Sequence, residues 1–486
     1  MNTTISVAKG DGIGAEIMNT VINIFDAANV PVTYEFVEMG KEYFEKGYSA
    51  GMTENAKEVI EKNGVLFKGP METPKGKGMK SINVTARKVW NTYANKRVFR
   101  SLAGVDTVFS KAGIPINITI VRENIEDTYG GIEHMLTHDV ALCRRFITRP
   151  GSIQVHKYTF EMARKKGAKR VTCGHKANIM KITDGLFLET FYEVAKQYPE
   201  IKADDVIVDD LAMKLVVKPH DFDVVVLPNL QGDIISDLCA GLVGGLGFAP
   251  SANIGDNISI FEAVHGTAPD ISGLGVANPT ALLLSGIMML RHINLDTYAD
   301  TIENALLYTL EMGAHTADFG NATTKPLATT DFADAIIKNF GQQPKQSPLA
   351  KTIAKQQDFK APQIPVQNKI LETELQQNQI NGVDFFIESN EQPNVVADKF
   401  LKNLDRNLYS LTTMSNRGTQ VWPTGSVFTE CINQYRVRVE SIENRPMEQQ
   451  EVLDISNKII KDFKLCSLEL LMIYDGKKAY SLAQGQ

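Results

Sequence analysis

Residues 229–237, Asn-Leu-Gln-Gly-Asp-Ile-Ile-Ser-Asp, set two carboxylates, Asp233 and Asp237, four positions apart. Apolar residues at 234, 235, 238, 242, 243 and 246 predict a helix over 233–247, which puts both carboxylates on one face. Gly241, Gly244 and Gly245 are expected to continue that face and leave it nearly bare of side chains. A hard divalent cation such as Mg²⁺ takes a few carboxylate oxygens together with substrate oxygens and water, and this face could supply part of that shell. Two aspartates in a first helical turn can also do no more than complement the macrodipole.

A denser constellation spans 80–122. Ser81 and Asn83 bring a hydroxyl and an amide two residues apart, and Arg87, Arg97 and Arg122 follow. The planar guanidinium fork is the preferred partner of carboxylates, and α/β sheets bind ligands at the carboxyl ends of their strands. Taken one at a time these are surface charges or structural ion pairs; together they suit a small polyanionic acid. Lys176 follows a candidate strand, where a lysine among other charges can move a proton. Asp209 and Asp210 close another. The Gly/Pro-rich stretch 265–271 with 277–279 is a loop that could wrap a cofactor or simply cover the surface. Gly10-Asp11-Gly12-Ile13-Gly14 has its third glycine one residue too soon for a dinucleotide loop, so a tight strand-to-helix turn is expected there.

The elements that position these residues alternate. Strands are predicted at 5–8, 32–37, 65–68, 116–121, 171–173, 206–208 and 224–227, and helices at 16–28, 160–166, 185–197 and 300–312. This order predicts an α/β fold around a mostly parallel sheet. Residues 341–381 are rich in Gln, Lys and Pro and read as a linker, with a candidate helix at 368–377. Beyond it, strands at 383–387, 409–413, 434–439, 467–474 and 479–482 alternate with helices at 394–404 and 449–462. That suggests a small α+β domain of ferredoxin-like order.

Composition narrows the function class. The chain has 486 residues, 43% hydrophobic and 22% charged, with a formal net charge of −6. Nothing in this balance suits nucleic acid or an anionic membrane. No signal peptide is visible, and the apolar stretch 281–290 is too short to span a bilayer. Five scattered cysteines without a Cys-x-x-Cys pair fit reduced thiols and a cytoplasmic location.

The stretches 10–14, 80–88, 122–129, 175–181, 229–237, 249–255 and 265–271, in this order, resemble the β-decarboxylating dehydrogenases acting on isocitrate, isopropylmalate, homoisocitrate and tartrate. The similarity covers about 5–341, and Asn416-Arg417-Gly418-Thr419-Gln420-Val421-Trp422-Pro423 resembles the C-terminal extension of bacterial homodimeric isocitrate dehydrogenases. The resemblance implies a large domain (1–97 and 245–340) that binds cofactor. It also implies a small domain with a dimer clasp (98–244), a linker (341–381) and a C-terminal α+β domain (382–486).

It further implies oxidative decarboxylation of isocitrate, a step of the tricarboxylic acid cycle, in a homodimer with shared active sites. On this resemblance Ser81 and Asn83 contact the γ-carboxylate, and Arg87, Arg97 and Arg122 clamp the others. Tyr129 is the acid, Lys176 serves the base path, and Asp233, Asp237 and Asp209 of the neighbouring subunit hold Mg²⁺ or Mn²⁺. Lys176 and Asn178 also come from the neighbour. Cofactor contacts fall at Thr73, Asn178, Glu262, His265, Gly266, Thr267, Ala268, Asp270, Ile271 and Asn278. NADP-using relatives place Lys-Tyr where this chain has Asp270-Ile271. A carboxylate suits a ribose 2′-OH and repels a 2′-phosphate, so NAD is expected over NADP.

Three features depart from the pattern: Glu72 stands where a threonine is usual, Arg97-Val98-Phe99 replaces Arg-Pro-Val, and the loop 100–114 is unusual. Activity on homoisocitrate or 3-isopropylmalate is the nearer alternative. A regulatory protein that binds an effector through the C-terminal domain is the remote one.

Overall fold

The computed structural model describes residues 2–72, 81–320, 324–348, 350, 378–425 and 428–482. Two compact units appear, Met1–Tyr129 with Phe146–Lys369, and Gly130–Arg145 with Ile370–Gln486. Candidate helix 368–377 lies outside the described residues.

Ten strands form the sheet of the first unit: β1 (Thr3–Ala8), β2 (Val32–Phe36), β3 (Val65–Lys68), β4 (Ala94–Arg100), β5 (Asn117–Glu123), β8 (Arg170–His175), β9 (Lys202–Ile207), β10 (Val224–Leu227), β11 (Pro250–Ile254) and β12 (Ser259–Ala263). Their order is β2-β1-β3-β12-β11-β4-β5-β10-β8-β9. The flanks are parallel, and the three central pairings, β12/β11, β11/β4 and β4/β5, are antiparallel. All seven predicted strands of this part are present. β4, β11 and β12 carry too many polar residues to show as strands by hydropathy.

Alternation across the strands sorts the core into two faces. On one face lie the helices Gly14–Ala27, Thr280–His292, Asp296–Glu311 and Thr329–Lys338, with Arg149–Lys166 and Thr183–Ala195 beside them. On the other lie Glu54–Asn63, Ile82–Val89, Val208–Val217 and Asn229–Leu242. The helix predicted at 160–166 is the last turns of a longer one whose amphipathic signal is weak at its polar start. Among the described residues no helix is long and apolar enough to cross a membrane.

The second unit is a six-stranded antiparallel sheet with the short hairpin β6 (Glu133–Met135) and β7 (Ala141–Cys143). Its strands are β13 (Asn378–Glu388), β14 (Tyr409–Asn416), β15 (Thr419–Trp422), β16 (Gln434–Ser441), β17 (Lys464–Tyr474) and β18 (Lys477–Lys478), in the order β15-β14-β16-β13-β17-β18. The helix Pro393–Asn403 joins β13 to β14 and Gln449–Ile459 joins β16 to β17. That is the β-α-β-β-α-β order of a ferredoxin-like fold, with β15 and β18 added. Two boundaries differ from expectation. Residues 378–381 belong to β13, not to a linker, and 479–482 is not a strand. Tyr480 instead folds its ring over the Arg438 guanidinium and bonds Asn381.

Candidate active site

The helix Asn229–Leu242 starts directly after β10, four residues earlier than the apolar periodicity suggests. Pro228 stands at its N-cap and Asn229 accepts from Arg122 Nε and Nη2 at 2.9 and 2.7 Å. Asp233 and Asp237 therefore lie beyond the first turn, which weakens the macrodipole explanation. The helix also stops at Leu242, so Gly244 and Gly245, both at positive φ, do not extend the carboxylate face as expected. The glycine that matters is Gly232, where a Cβ would sit 2.7 Å from Arg122 Cγ. Its bare Cα lets the helix press against β5.

That close approach gathers the chemistry. Arg122, 1% exposed, pairs through Nη1 with Asp233 Oδ1, and its guanidinium lies 4.7 Å from the Tyr129 ring centroid. Arg97 on β4 reaches Ser236 at 2.6 Å, Asp233 at 3.4 Å and Asp237 at 3.6 Å. The Tyr129 hydroxyl donates to Asp233 Oδ2 at 2.7 Å. Burial pushes the Asp233 carboxyl up, but Arg122 and Arg97 outweigh it and hold it below the usual carboxylate range. Asp237 moves the other way: burial raises it, Arg97 opposes, and the neighbouring Asp233 charge adds to the rise. Burial also raises the Tyr129 phenol, Arg122 opposes, and the bond to Asp233 favours the protonated form.

On the same sheet face, Ser251 of β11 is the register partner of both Arg97 and Glu262. A cavity of about 320 Å³ opens there, with Asn83, Arg87, Arg97, Glu262, His265, Gly266, Thr267 and Glu72 in its lining. Glu262 is buried and accepts from Lys68 at 2.5 Å, Arg87 at 3.1 Å and Asn253 at 2.7 Å. Burial alone would push its carboxyl up; Lys68 and Arg87 reverse this and hold it low. Lys68 also donates to Asn83 Oδ1 at 2.8 Å. Sequence reading missed Lys68, because a single lysine closing an apolar strand carries no motif. Asn253, Asn95 and Ser251 continue the network, and Asn95 accepts from Arg97 at 2.7 Å. A buried polar chain thus links Glu262 to Arg97.

Ser81 caps the helix Ile82–Val89, accepting from Val84 N at 3.4 Å. Thr73 lies outside the described residues. The departure at Glu72 has a local partner: its carboxylate pairs with Lys41 at 2.8 Å, while Asp11 takes both the Glu72 and Lys41 backbone N–H. The glycine-rich stretch at 10–14 is the tight turn that its spacing predicts. A Cβ on Gly10 would meet Pro70 O at 2.4 Å, and on Gly12 would meet Thr267 O at 2.1 Å. Ile13 N bonds Thr267 O at 3.0 Å, so this turn braces the 265–271 loop.

In that loop His265 Nδ1 bonds Gly266 O at 3.0 Å and Nε2 is a buried atom without a partner. Ala268 sits at φ +39°, Asp270 is exposed and Ile271 half-buried. Asn278 is buried and bonds Asp318 at 3.0 Å.

Lys176, Asn178 and Asp209 gather elsewhere. Lys176 Nζ pairs with Asp209 Oδ1, which holds the Asp209 carboxyl low, and Asn178 is exposed. They follow β8 and β9, and β9 is two strand spacings, about 10 Å, from β10 and its helix. Among the described residues no group of three or more His, Cys, Asp or Glu side chains is placed to hold a metal.

Next to this site, burial pushes the Glu123 carboxyl up to about 7, above its ordinary 4.5. Its contribution to stability is complete below about pH 4.5 and is lost as pH rises through about 7. Glu123→Gln should therefore flatten a fall in unfolding free energy of about 2–3 kcal/mol over this window. Urea unfolding at about pH 5 and about pH 8 checks it; an unchanged slope in the variant would refute the assignment.

Comparison with known proteins agrees with this architecture. Residues 4–336 match the isocitrate/isopropylmalate dehydrogenase family, and 378–486 match the bacterial isocitrate dehydrogenase C-terminal domain. An isocitrate dehydrogenase [NADP] of Thermus thermophilus is 42% identical over 99% of this chain and 96% of its own length. A mitochondrial isocitrate dehydrogenase [NAD] catalytic subunit of Arabidopsis thaliana is 49% identical over 68% of this chain and 87% of its own length. A crystal structure of a Thermus thermophilus protein superposes with a TM-score of 0.92 at 41% identity, covering 100% of this chain and 96% of that one. The chain belongs to the isocitrate/isopropylmalate dehydrogenase family and is an oxidoreductase of its isocitrate dehydrogenase branch.

Proposed function

We propose that the chain catalyses metal-dependent oxidative decarboxylation of isocitrate to 2-oxoglutarate and CO₂, with a nicotinamide dinucleotide as hydride acceptor. The observation that carries this reading is the convergence of Arg97, Arg122 and Tyr129 on Asp233 beside the cavity that Arg87 and Asn83 line. The guanidiniums match and orient substrate carboxylates, and Ser81 and Asn83 take the distinguishing one. Tyr129 supplies the proton to the substrate carbon, and Lys176 lies on the path that removes the hydroxyl proton. Thr73 joins Glu262, the 265–271 loop, Asn178 and Asn278 on the cofactor. Domains follow: 1–97 with 245–340 for cofactor, 98–244 for substrate.

The donor set suits a hard cation. Asp237 keeps a half-exposed carboxylate whose one ion pair is 3.6 Å long, and the repulsion from Asp233 one turn away favours a cation between them. Mg²⁺ or Mn²⁺ held by Asp233, Asp237 and Asp209 of a second copy supplies Lewis-acid stabilisation of charge on the substrate oxygen. The second copy has a surface to dock on: Met213, Val217 and Ile234, on the helices Val208–Val217 and Asn229–Leu242, are 55%, 61% and 61% exposed.

NAD(P) reduction with isocitrate, homoisocitrate and 3-isopropylmalate, with and without Mn²⁺, tests the reading. Faster turnover of either alternative than of isocitrate, or no metal response, counts against it.

The acceptor is a separate question. The relatives that align over the whole chain carry NADP in their names, so the NAD expectation lacks their support and NADP is the better-supported acceptor. One observation favours NAD: the exposed Asp270 carboxylate stands where a 2′-phosphate would need a cation. A tenfold preference in kcat/KM, roughly 1.4 kcal/mol, decides between them. On the NAD reading, Asp270→Lys shifts the ratio at least about tenfold towards NADP; no shift would remove Asp270 from the cofactor site.

A further inference from the structure

Hydride transfer, on which the function proposed above rests, brings the nicotinamide ring to within about 3–3.5 Å of the substrate carbon. The ring therefore lies where substrate-facing and cofactor-facing side chains line one space. The cavity of about 320 Å³ is such a space, since Asn83, Arg87 and Arg97 share its lining with Glu262, His265 and Thr267. Glu72 lines the same cavity and has no part in the chemistry so far assigned.

Among the described residues the lining carries four charged side chains, and three of them are tied into the polar interior. Glu262 pairs with Lys68 and Arg87, and Arg97 pairs with Asp233 and Asp237. Glu72 is the exception. Its one ionic partner among the described residues is Lys41, and the two side chains are 39% and 41% exposed. A pair this open to water is weak and screened, so it offsets the Glu72 charge only in part. The backbone, by contrast, is fixed. Glu72 N–H donates to Asp11 Oδ2 at 2.9 Å, and Asp11 N–H donates to Pro70 O at 2.7 Å. Ile13 N–H, in the same turn, donates to Thr267 O. The turn at 10–14 thus ties Glu72 to the 265–271 loop.

The oxidised nicotinamide ring is a pyridinium cation. The hydride it receives from the substrate carbon makes it a neutral dihydropyridine, and the phosphates keep their charge. A carboxylate beside the ring therefore meets one positive charge in the oxidised form and none in the reduced form. We propose that Glu72 makes the site selective for the oxidised dinucleotide, so that the reduced product is held more weakly and leaves. Lys41 sets the strength of this bias by offsetting the carboxylate.

Dissociation constants of the full-length protein for NAD and NADH, and for NADP and NADPH, test this by calorimetry without isocitrate. The informative quantity is the ratio of the two constants, reduced over oxidised, because general damage to the site moves both together. Glu72→Gln should lower the ratio about three- to tenfold, and Lys41→Met should raise it. Asp270→Asn, which on the proposed function lies by the ribose 2′ position, should leave the ratio unchanged. Lys41 opens the exposed helix Lys41–Glu45, so its variant carries the test if Glu72→Gln folds poorly. A ratio that either folded variant leaves unmoved, or moves the other way, overturns the proposal; continued isocitrate turnover would then leave the proposed function standing. Wild-type protein that binds neither form of either dinucleotide would overturn that function and this inference with it.

Discussion

Asp233→Asn is expected to lower kcat/KM for isocitrate about 10²–10³-fold while the protein stays folded. The substitution keeps the size of the side chain and its capacity to bond Tyr129 and Arg122, but removes the charge on which Arg122, Arg97 and Tyr129 converge. On the proposed function the effect should fall on kcat more than on KM, because the Arg87, Arg97 and Arg122 guanidiniums remain. Asp237→Asn should cost less, since among the described residues Asp237 holds only a 3.6 Å pair with Arg97. Steady-state kinetics on the two variants decides it. Equal losses would mean that the two carboxylates act only as a pair, and an unaffected Asp233→Asn would remove the helix from the chemistry.

Lys68→Met is expected to destabilise the chain by about 3 kcal/mol. The Lys68–Glu262 pair is nearly inaccessible, with side chains 1% and 5% exposed. Breaking a buried pair from one side leaves a charge only partly compensated, which typically costs about 3–5 kcal/mol. Arg87 still faces Glu262, so the lower end applies. Adding Glu262→Gln to Lys68→Met should recover part of the loss, a coupling that a double-mutant cycle of urea unfolding measures. A neutral Lys68→Met would show that the pair contributes nothing to stability. The same variant frees Asn83, so KM for isocitrate should rise.

Much of this was legible in the chain, and what was not has physical causes. Parallel strands such as Val65–Lys68 and Val224–Leu227 announce themselves as short apolar runs because both faces are covered. β4 does not: Asn95 and Arg97 are polar residues buried by tertiary partners, namely Ser251 and Asn253, and Ser236 and Asp233, and the half-buried Arg100 pairs with Glu303. Hydropathy cannot foresee partners that lie 100–200 positions away in sequence.

The apolar periodicity of the opening motif begins four residues after the helix does, since the first turn, Asn-Leu-Gln-Gly, is polar and contains a glycine. The structure gives that glycine a reason in the passage of Arg122. Lys68 was invisible, and so was the gathering of 130–145 with the C-terminal unit. The acceptor was the reading with the weakest support, because one exposed carboxylate argued against the names of whole-chain relatives.

On the proposed function, Lys176 and Asp209 of a second copy complete the Asp233 face. Mixing two inactive variants tests it directly. If the chain pairs as proposed, Asp233→Asn and Lys176→Met chains, unfolded together and refolded at equal concentration, form half hybrid dimers when pairing is random. Each hybrid carries one site with both defects and one with neither, so activity should return to roughly a quarter of the wild-type level. A mixture no more active than its separately refolded components would contradict a site shared between chains.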